Sequence, residues 1–137
     1  MPQARKLTPN LVVSDVARSV AFYRDVLGFA PGLSVPDRPP YVFASVTSGP
    51  VEIFFNSLDA AAAEYPAFKN RPIGGTLTLF IEVDAIDALH ESLKERVSIV
   101  MPLERKWYGM TEFALSDPDG YLITFAQPGA EPEKQPA

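Results

Sequence analysis

Apolar residues near the start of the chain first form a continuous run and then recur at helical spacing. Each of these two patterns predicts one element. Residues 11–13 form a short apolar run that is typical of a buried strand. Asp15 comes shortly after this run and suits the N-cap of a helix, while Gly28 suits its stop. Between them, four apolar residues spaced by four, three and four positions share one helical face: Val16, Val20, Tyr23 and Leu27.

The same pattern returns 70 residues further along the chain, which indicates an internal repeat. An apolar run at 77–83 precedes Asp84, which we expect to cap a second helix as Asp15 caps the first. The ends of the two halves match at the same offset, because 51–55 corresponds to 121–125 and a turn rich in Gly, Pro or Asp precedes each. The apolar face of the second helix consists of Ile86, Leu89, Leu93 and Val97.

Two further strand candidates lie between the helix and the last strand of each half. We therefore predict an α+β fold of two βαβββ modules, spanning 7–56 and 76–127. A helix would cover one face of each four-stranded sheet, leaving the other face to an open cleft. We expect 57–75 to connect the modules within a single domain of 137 residues, and 128–137 to form a flexible tail. The additional strand candidates are 29–35, 41–47, 98–103 and 109–116.

The composition and the charge exclude several kinds of site and several classes of binding partner. The chain contains no cysteine, so it has no disulfide, no thiolate nucleophile and no cysteine metal site. A net charge of −5 argues against binding to a nucleic-acid backbone, which requires clustered Lys and Arg. No apolar run reaches the roughly 18 residues of a membrane span, and the first ten residues lack the apolar stretch of a secretory signal. We expect a cytoplasmic protein that binds neither nucleic acid nor membrane.

Two segments at opposite ends of the repeat resemble the vicinal oxygen chelate superfamily, which includes glyoxalases, bleomycin resistance proteins and dioxygenases. Residues 11–29 contain a D-x-x-x-S-x-x-F-Y segment that ends in L-G-F. Residues 112–121 contain a D-P-D-G turn that leads into the last strand. The resemblance covers about residues 7–127 and implies the paired βαβββ fold. A ferredoxin-like domain is the alternative, but it does not account for the closing hairpin.

The resemblance also implies where a metal would bind. Enzymes of this superfamily hold a divalent metal with His, Gln or Glu from the first and last strands of each module. Here those positions fall on Thr8, Thr78 and Thr124, together with either Glu52 or Phe54. Because a hydroxyl is a poor ligand for Zn, Ni, Fe or Mn, we predict no metal and no cofactor. Glu52 is the candidate catalytic residue, as a partly desolvated general base; pairing with an arginine or a wet position at the cleft mouth is the alternative.

Aromatic residues near the predicted cleft favour a small organic ligand. Trp107, the only tryptophan, lies in a loop, where flat apolar surface can bind a ring; packing across a subunit boundary is the alternative. We expect His90, the only histidine, on the second helix without a catalytic role, and Glu82 on the helix side of its strand. For the aromatic residues of the strands, core packing is the alternative. The candidate ligand-binding residues are Thr8, Asn10, Phe54, Thr78, Phe80, Trp107, Tyr108, Met110 and Thr124.

The favoured hypothesis is a metal-free, glyoxalase/bleomycin-resistance-like homodimer that binds a small, partly aromatic organic ligand in the cleft. The alternative is an enzyme of the same superfamily, dependent on a metal or on Glu52, that acts on a small carbonyl or aromatic substrate. Turnover in the presence of added Ni, Zn, Mn or Fe would separate the two. A structural module without a ligand is the third possibility. The sequence does not identify the ligand.

Overall fold

A computed structural model describes residues 1–129 and divides the chain into two compact units, 1–73 and the part from Gly74 onward. Each unit has the element order βαβββ, which confirms the predicted α+β class. Residues 130–137 of the predicted tail lie outside the described residues. The first unit contains β1 (Asn10–Val13), α1 (Val16–Asp25), β2 (Ala30–Val35), β3 (Phe43–Ser48), β4 (Val51–Ser57), α2 (Leu58–Glu64) and a 3₁₀ helix (Pro66–Asn70). The second contains β5 (Thr78–Glu82), α3 (Ile86–Leu93), β6 (Ser98–Arg105), β7 (Met110–Ser116) and β8 (Leu122–Pro128).

The two four-stranded sheets have the same topology. The strand order is β1-β4-β3-β2 in the first unit and β5-β8-β7-β6 in the second, with the first and last strands of each unit parallel. The parallel pairs share one register: Asn10 lies opposite Phe54, and 70 residues later Phe80 lies opposite Thr124. The repeat in the sequence is therefore also a repeat of strand register.

The helix of the first unit covers one face of its sheet. Tyr23 of α1 is fully buried, and its ring centroid lies 4.9 Å from that of Phe55 and 5.8 Å from that of Phe29. Because side chains alternate along a strand, Ile53 and Phe55 face α1, while Glu52 and Phe54 face the other way. We call the face opposite the helix the helix-free face of each sheet.

The second unit repeats this arrangement. Leu79 and Ile81 of β5 are buried on the side of α3, together with Phe113, Ile123 and Phe125 of the neighbouring strands. Alternation therefore places three other β5 side chains on the helix-free face: Thr78, Phe80 and Glu82. The expectation that Glu82 faces the helix was wrong, because residues two apart on a strand share a face.

The two helices that follow the first strands begin in different ways. The side chain of Asp15 accepts a hydrogen bond from the backbone N–H of Arg18 at 3.1 Å, which confirms the predicted N-cap of α1. The predicted cap at Asp84 was wrong, since α3 begins two residues later. Its first N–H, on Ile86, donates to the side-chain oxygen of Gln127 at 2.9 Å, and the amide of Gln127 donates to the carbonyl of Asp84 at 2.7 Å. No helix in the described part of the chain is long and apolar enough to cross a membrane.

The predicted connector is more structured than the sequence suggested. Ser57 caps α2 by accepting from the backbone N–H of Ala60 at 3.3 Å, and the alanines that follow have the highest helix propensity. Residues of α2 and of the 3₁₀ helix line a recess together with β1 and β4, on the helix-free face of the first sheet. The connector therefore covers one end of that face.

Candidate functional site

An aromatic pair marks the helix-free face of the first sheet. Phe54 lies next to Asn10 and Ser45 in the strand register, and its ring contacts Phe43 edge-on, with centroids 5.1 Å apart. Both phenylalanines are half-buried, and by strand alternation they point away from the sheet face that α1 covers. The sequence predicted Phe54 but missed Phe43. Alternation within β3 could have found it, because Ala44 is buried on the helix side.

Glu52 lies on the same face as Phe54 and carries a charge partner. Its Oε1 lies 2.6 Å from the Nζ of Lys6, and the two side chains are 25% and 59% exposed. An ion pair this exposed contributes only about 0–1 kcal/mol, so Lys6 can be displaced from Glu52 by a competing donor. A lysine thus takes the place that the alternative interpretation gave to an arginine. The role of Glu52 as a general base stays a prediction.

The other end of this face is closed. The side-chain amide of Asn56 donates to the amide oxygen of Asn10. Beside them lies a recess of about 20 Å³, also lined by Glu64, Tyr65 and Phe68 of the connector. That volume accommodates about one water molecule, so an organic ring does not fit there.

The threonines at the positions implied by the resemblance are differently placed. Thr8 lies two residues before β1, which begins at Asn10, and the carbonyl of the intervening Pro9 accepts from the backbone N–H of Phe54 at 2.9 Å. Thr78 and Thr124 lie on the helix-free face of the second sheet, where their hydroxyl oxygens are 2.6 Å apart and either can donate. Phe80 lies opposite Thr124 in register and is 52% exposed.

These donors do not fit the divalent metal of the superfamily's enzymes. Thr78 and Thr124 are hydroxyls that hydrogen-bond to each other, and Glu52 is paired with an ammonium group. Such metals prefer imidazole, carboxylate or thiolate ligands. Among residues 1–129, no three His, Cys, Asp or Glu side chains are grouped so that they could hold a metal ion.

The loop that holds the only tryptophan is a tight turn between β6 and β7. The backbone N–H of Lys106 donates to the carbonyl of Met110 at 2.7 Å, and Gly109 has φ +92°, which favours glycine. Trp107 and Tyr108 lie at the tip, with ring centroids 5.3 Å apart at an angle of 86°. Both side chains are well exposed, as expected for residues able to contact a ligand.

Tyr108 reaches from this turn to a buried carboxylate. Its hydroxyl donates to Oε2 of Glu112 on β7 at 2.5 Å, and Glu112 is only 3% exposed. This hydrogen bond, reinforced by burial and by the charges of Glu112 and Glu104, raises the pKa of Tyr108 to about 12. Sequence reasoning gave Glu112 no role, since its contact with the turn depends on the tertiary fold. Met110, half-buried, lies on the same helix-free face as Glu112.

Two polar residues of the second unit, His90 and Asp117, make contacts within the fold. His90 is half-buried on α3, and its ring lies edge-on to Phe113 with centroids 5.0 Å apart, on the helix side of the sheet. The carboxylate of Asp117 accepts from the backbone N–H groups of Asp119 and Tyr121, both at 2.9 Å. These bonds shape the turn before β8.

Most of the candidate ligand-binding residues thus lie on the helix-free faces of the two sheets or on the turn beside the second. The first has Asn10, Glu52 and Phe54; the second has Thr78, Phe80, Met110 and Thr124, with Trp107 and Tyr108 on the adjoining turn. That the two faces form one cleft stays a prediction.

Comparison with known proteins agrees with this architecture. Residues 7–125 match the family described as Glyoxalase/Bleomycin resistance protein/Dioxygenase superfamily. The chain is 29% identical over 127 residues to a bleomycin resistance protein of Geobacillus stearothermophilus, covering 87% of this chain and 93% of that one.

Two solved structures are also similar. A glyoxalase/bleomycin resistance protein/dioxygenase from Nocardioides superposes with a TM-score of 0.77 at 19% identity, covering 99% of this chain and 92% of that one. The bleomycin-binding protein of the bleomycin producer Streptomyces verticillus, in complex with copper(II)-bleomycin, superposes with a TM-score of 0.62 at 26% identity, covering 95% and 100%. Since the family match spans most of the chain and the fold agrees, this protein belongs to the glyoxalase/bleomycin resistance protein/dioxygenase superfamily.

Proposed function

We propose that this protein binds a small, partly aromatic organic molecule on the helix-free faces of its sheets, without a metal ion. The observation that carries the proposal is the edge-on pair of Phe43 and Phe54, half-buried on a sheet face that α1 does not cover. Half-buried rings beside a few polar groups are typical of small-molecule sites. Glu52 supplies such a polar group on the same face.

The relatives support a binding role. One similar protein is a bleomycin resistance protein, and one similar structure is a bleomycin-binding protein in complex with copper(II)-bleomycin. Bleomycin is therefore the first ligand to test. The energetics are adequate, because each ring contact contributes about 0.5–1.5 kcal/mol beyond the burial of apolar area. A homodimer, as predicted from the sequence, is part of this proposal.

The test measures binding of metal-free bleomycin and of a library of small aromatic compounds by thermal shift, followed by calorimetry. A ligand that binds only the folded protein raises its free energy of unfolding by RT ln(1 + [L]/Kd), and its melting temperature rises as a result. We expect Phe54→Ala to weaken binding by about tenfold, which corresponds to about 1.4 kcal/mol. Phe22→Ala is the matched control, because Phe22 is also half-buried but belongs to α1.

Two outcomes contradict the proposal. The first is that no compound stabilises the protein; the second is that the Phe54 and Phe22 variants lose affinity equally. Each binding measurement is repeated with EDTA and with added Ni, Zn, Mn or Fe. Turnover that requires one of these metals, or that is lost in Glu52→Gln, would favour the enzymatic alternative instead.

A further inference from the structure

Glu112 is a buried carboxylate of the second unit, outside the surface formed by Phe43 and Phe54. It lies on β7, between Ala126 of β8 and Glu104 of β6 in the strand register. The nearby ammonium of Lys106 pairs with Glu104 at 2.5 Å rather than with Glu112. Among the described residues, the partner of Glu112 is the hydroxyl of Tyr108. A carboxylate that is 3% exposed is costly to bury without partners, so the hydrogen bond from Tyr108 is important for its placement.

This hydrogen bond also determines whether the hydroxyl of Tyr108 can donate to a ligand or only accept a hydrogen bond from it. A phenol has one donor and two acceptor lone pairs. In Tyr108 the donor is occupied by Glu112, and the raised pKa keeps the proton on the phenol throughout the physiological pH range. Its oxygen is therefore left with acceptor capacity only. Tyr108 is 39% exposed, so a ligand at the turn can approach it.

The ring beside Tyr108 adds a surface for a flat group. Trp107 packs edge-on against Tyr108 and is itself 40% exposed. The carboxylate of Glu112 lies against the Tyr108 hydroxyl, whereas Glu104 is paired with Lys106. The charge of Glu112 is therefore the one that favours a cationic ligand group at the turn. The turn thus combines an aromatic surface and a hydrogen-bond acceptor, with the carboxylate of Glu112 next to the acceptor oxygen.

We infer that Glu112 is a specificity-determining residue, which holds the Tyr108 hydroxyl as an acceptor so that the turn selects aromatic molecules bearing an N–H donor. An amidinium is bound best, a neutral amide less well, and an equally flat ketone least. The inference rests on the proposed function, since it specifies the chemistry of the ligand. It assigns Glu112 a positioning role through Tyr108.

Benzamidine, benzamide and acetophenone are suitable probes, because they share a ring and differ in the donor that the ring bears. Binding is followed by the shift of the indole N–H signal in ¹⁵N-labelled protein, which comes from Trp107 alone. We expect wild-type affinity to fall in the order benzamidine, benzamide, acetophenone, with about tenfold or more between the first and the last. Tyr108→Phe should abolish the preference for donors. Glu112→Gln should keep benzamide ahead of acetophenone but remove the additional affinity for benzamidine.

Glu82→Gln is the matched control for the loss of a negative charge on the same sheet face, and it should leave the order of affinities for the three probes unchanged.

A second readout, the ionisation of Tyr108, needs no ligand. At about pH 11, difference absorbance between wild type and Tyr108→Phe should show Tyr108 mostly protonated, whereas in Glu112→Gln it should be mostly ionised. Circular dichroism at that pH identifies any variant that has unfolded.

The outcomes separate this inference from the proposed function. Equal binding of the three probes to the wild type overturns the inference and leaves the proposed function standing. The inference also fails if the Tyr108 ionisation is the same in wild type and Glu112→Gln. If no probe shifts the Trp107 signal while bleomycin binds elsewhere, only the inference fails; if neither the probes nor any compound of the library binds, both fail.

Discussion

The hydroxyl oxygens of Thr78 and Thr124 lie 2.6 Å apart across the parallel strands β5 and β8. These residues stand at two positions where the resemblance implies metal ligands. Each hydroxyl has the other as a hydrogen-bond partner, and neither is a good ligand for a transition metal. The pair therefore stabilises the helix-free face through a hydrogen bond between neighbouring strands.

The first prediction concerns the metal content. Protein purified without chelators should contain far less than one equivalent of Ni, Zn, Mn or Fe per chain, because Glu52 is the only strong ligand at the implied positions. Elemental analysis by plasma mass spectrometry checks it. About one metal per chain, lost in Glu52→Ala, would show that the threonine positions do not decide metal binding.

The second prediction is that the protein is a homodimer. The edge strands β1, β2, β5 and β6 each pair on one side only within their sheets, and unpaired edges tend to be covered by further chain or by a second copy. Light scattering at micromolar concentration should give about twice the chain mass of 15.0 kDa. A mass equal to that of a single chain contradicts it.

The third prediction compares how much two neighbouring phenylalanines of β4, on opposite faces of the sheet, contribute to stability. Phe55 is fully buried against Tyr23, so Phe55→Ala should lower the free energy of unfolding by about 3–5 kcal/mol. Phe54→Ala should cost less, because its ring is half-buried on the other face. Urea denaturation measures both. A larger loss in Phe54→Ala would mean that the helix-free face is the more important part of the core.

The fourth prediction tests the N-terminus of α3. Gln127→Ala removes the side chain that accepts from Ile86 N–H and should cost about 1 kcal/mol of stability, comparable with the loss of an N-cap. Asp15→Ala should cost a similar amount at α1. Asp84→Ala should cost less, because Gln127 bonds to its backbone carbonyl rather than to its side chain. If Asp84→Ala has the larger effect, the side chain of Asp84 is the true cap.

The fifth prediction is a pH dependence. The folded-state pKa of Tyr108, about 12, lies above its ordinary value of 10.0, owing first to the hydrogen bond with Glu112. The protonated hydroxyl therefore stabilises the fold fully below pH 10 and loses this contribution as the pH rises through 12. The stability difference between wild type and Tyr108→Phe should shrink over that interval. Chemical denaturation at several alkaline pH values measures it, and a constant difference argues against the bond.

Much of the fold was predictable because its signals are local. The alternation of residues 51–55 and the helical spacing of Val16, Val20 and Tyr23 indicate which side chains are buried, and the structure agrees. The repeat at 70 residues matched Phe54 with Thr124, and the strand registers place these two residues equivalently. The alternation and the helical spacing can be read along the chain, since each depends on neighbours within a few residues.

Contacts between distant residues required the tertiary structure. The sequence alone determined two βαβββ units, the faces of their strands, and the poor metal-binding chemistry of the threonines. Only the fold decided that Phe43 meets Phe54, that Gln127 replaces Asp84 as the cap of α3, and that Tyr108 bonds to Glu112. Strand pairing sets the first two contacts, and the geometry of the turn at Gly109 sets the third. No periodic pattern in the sequence encodes them, because they join side chains through the register of the sheet and the direction of a loop.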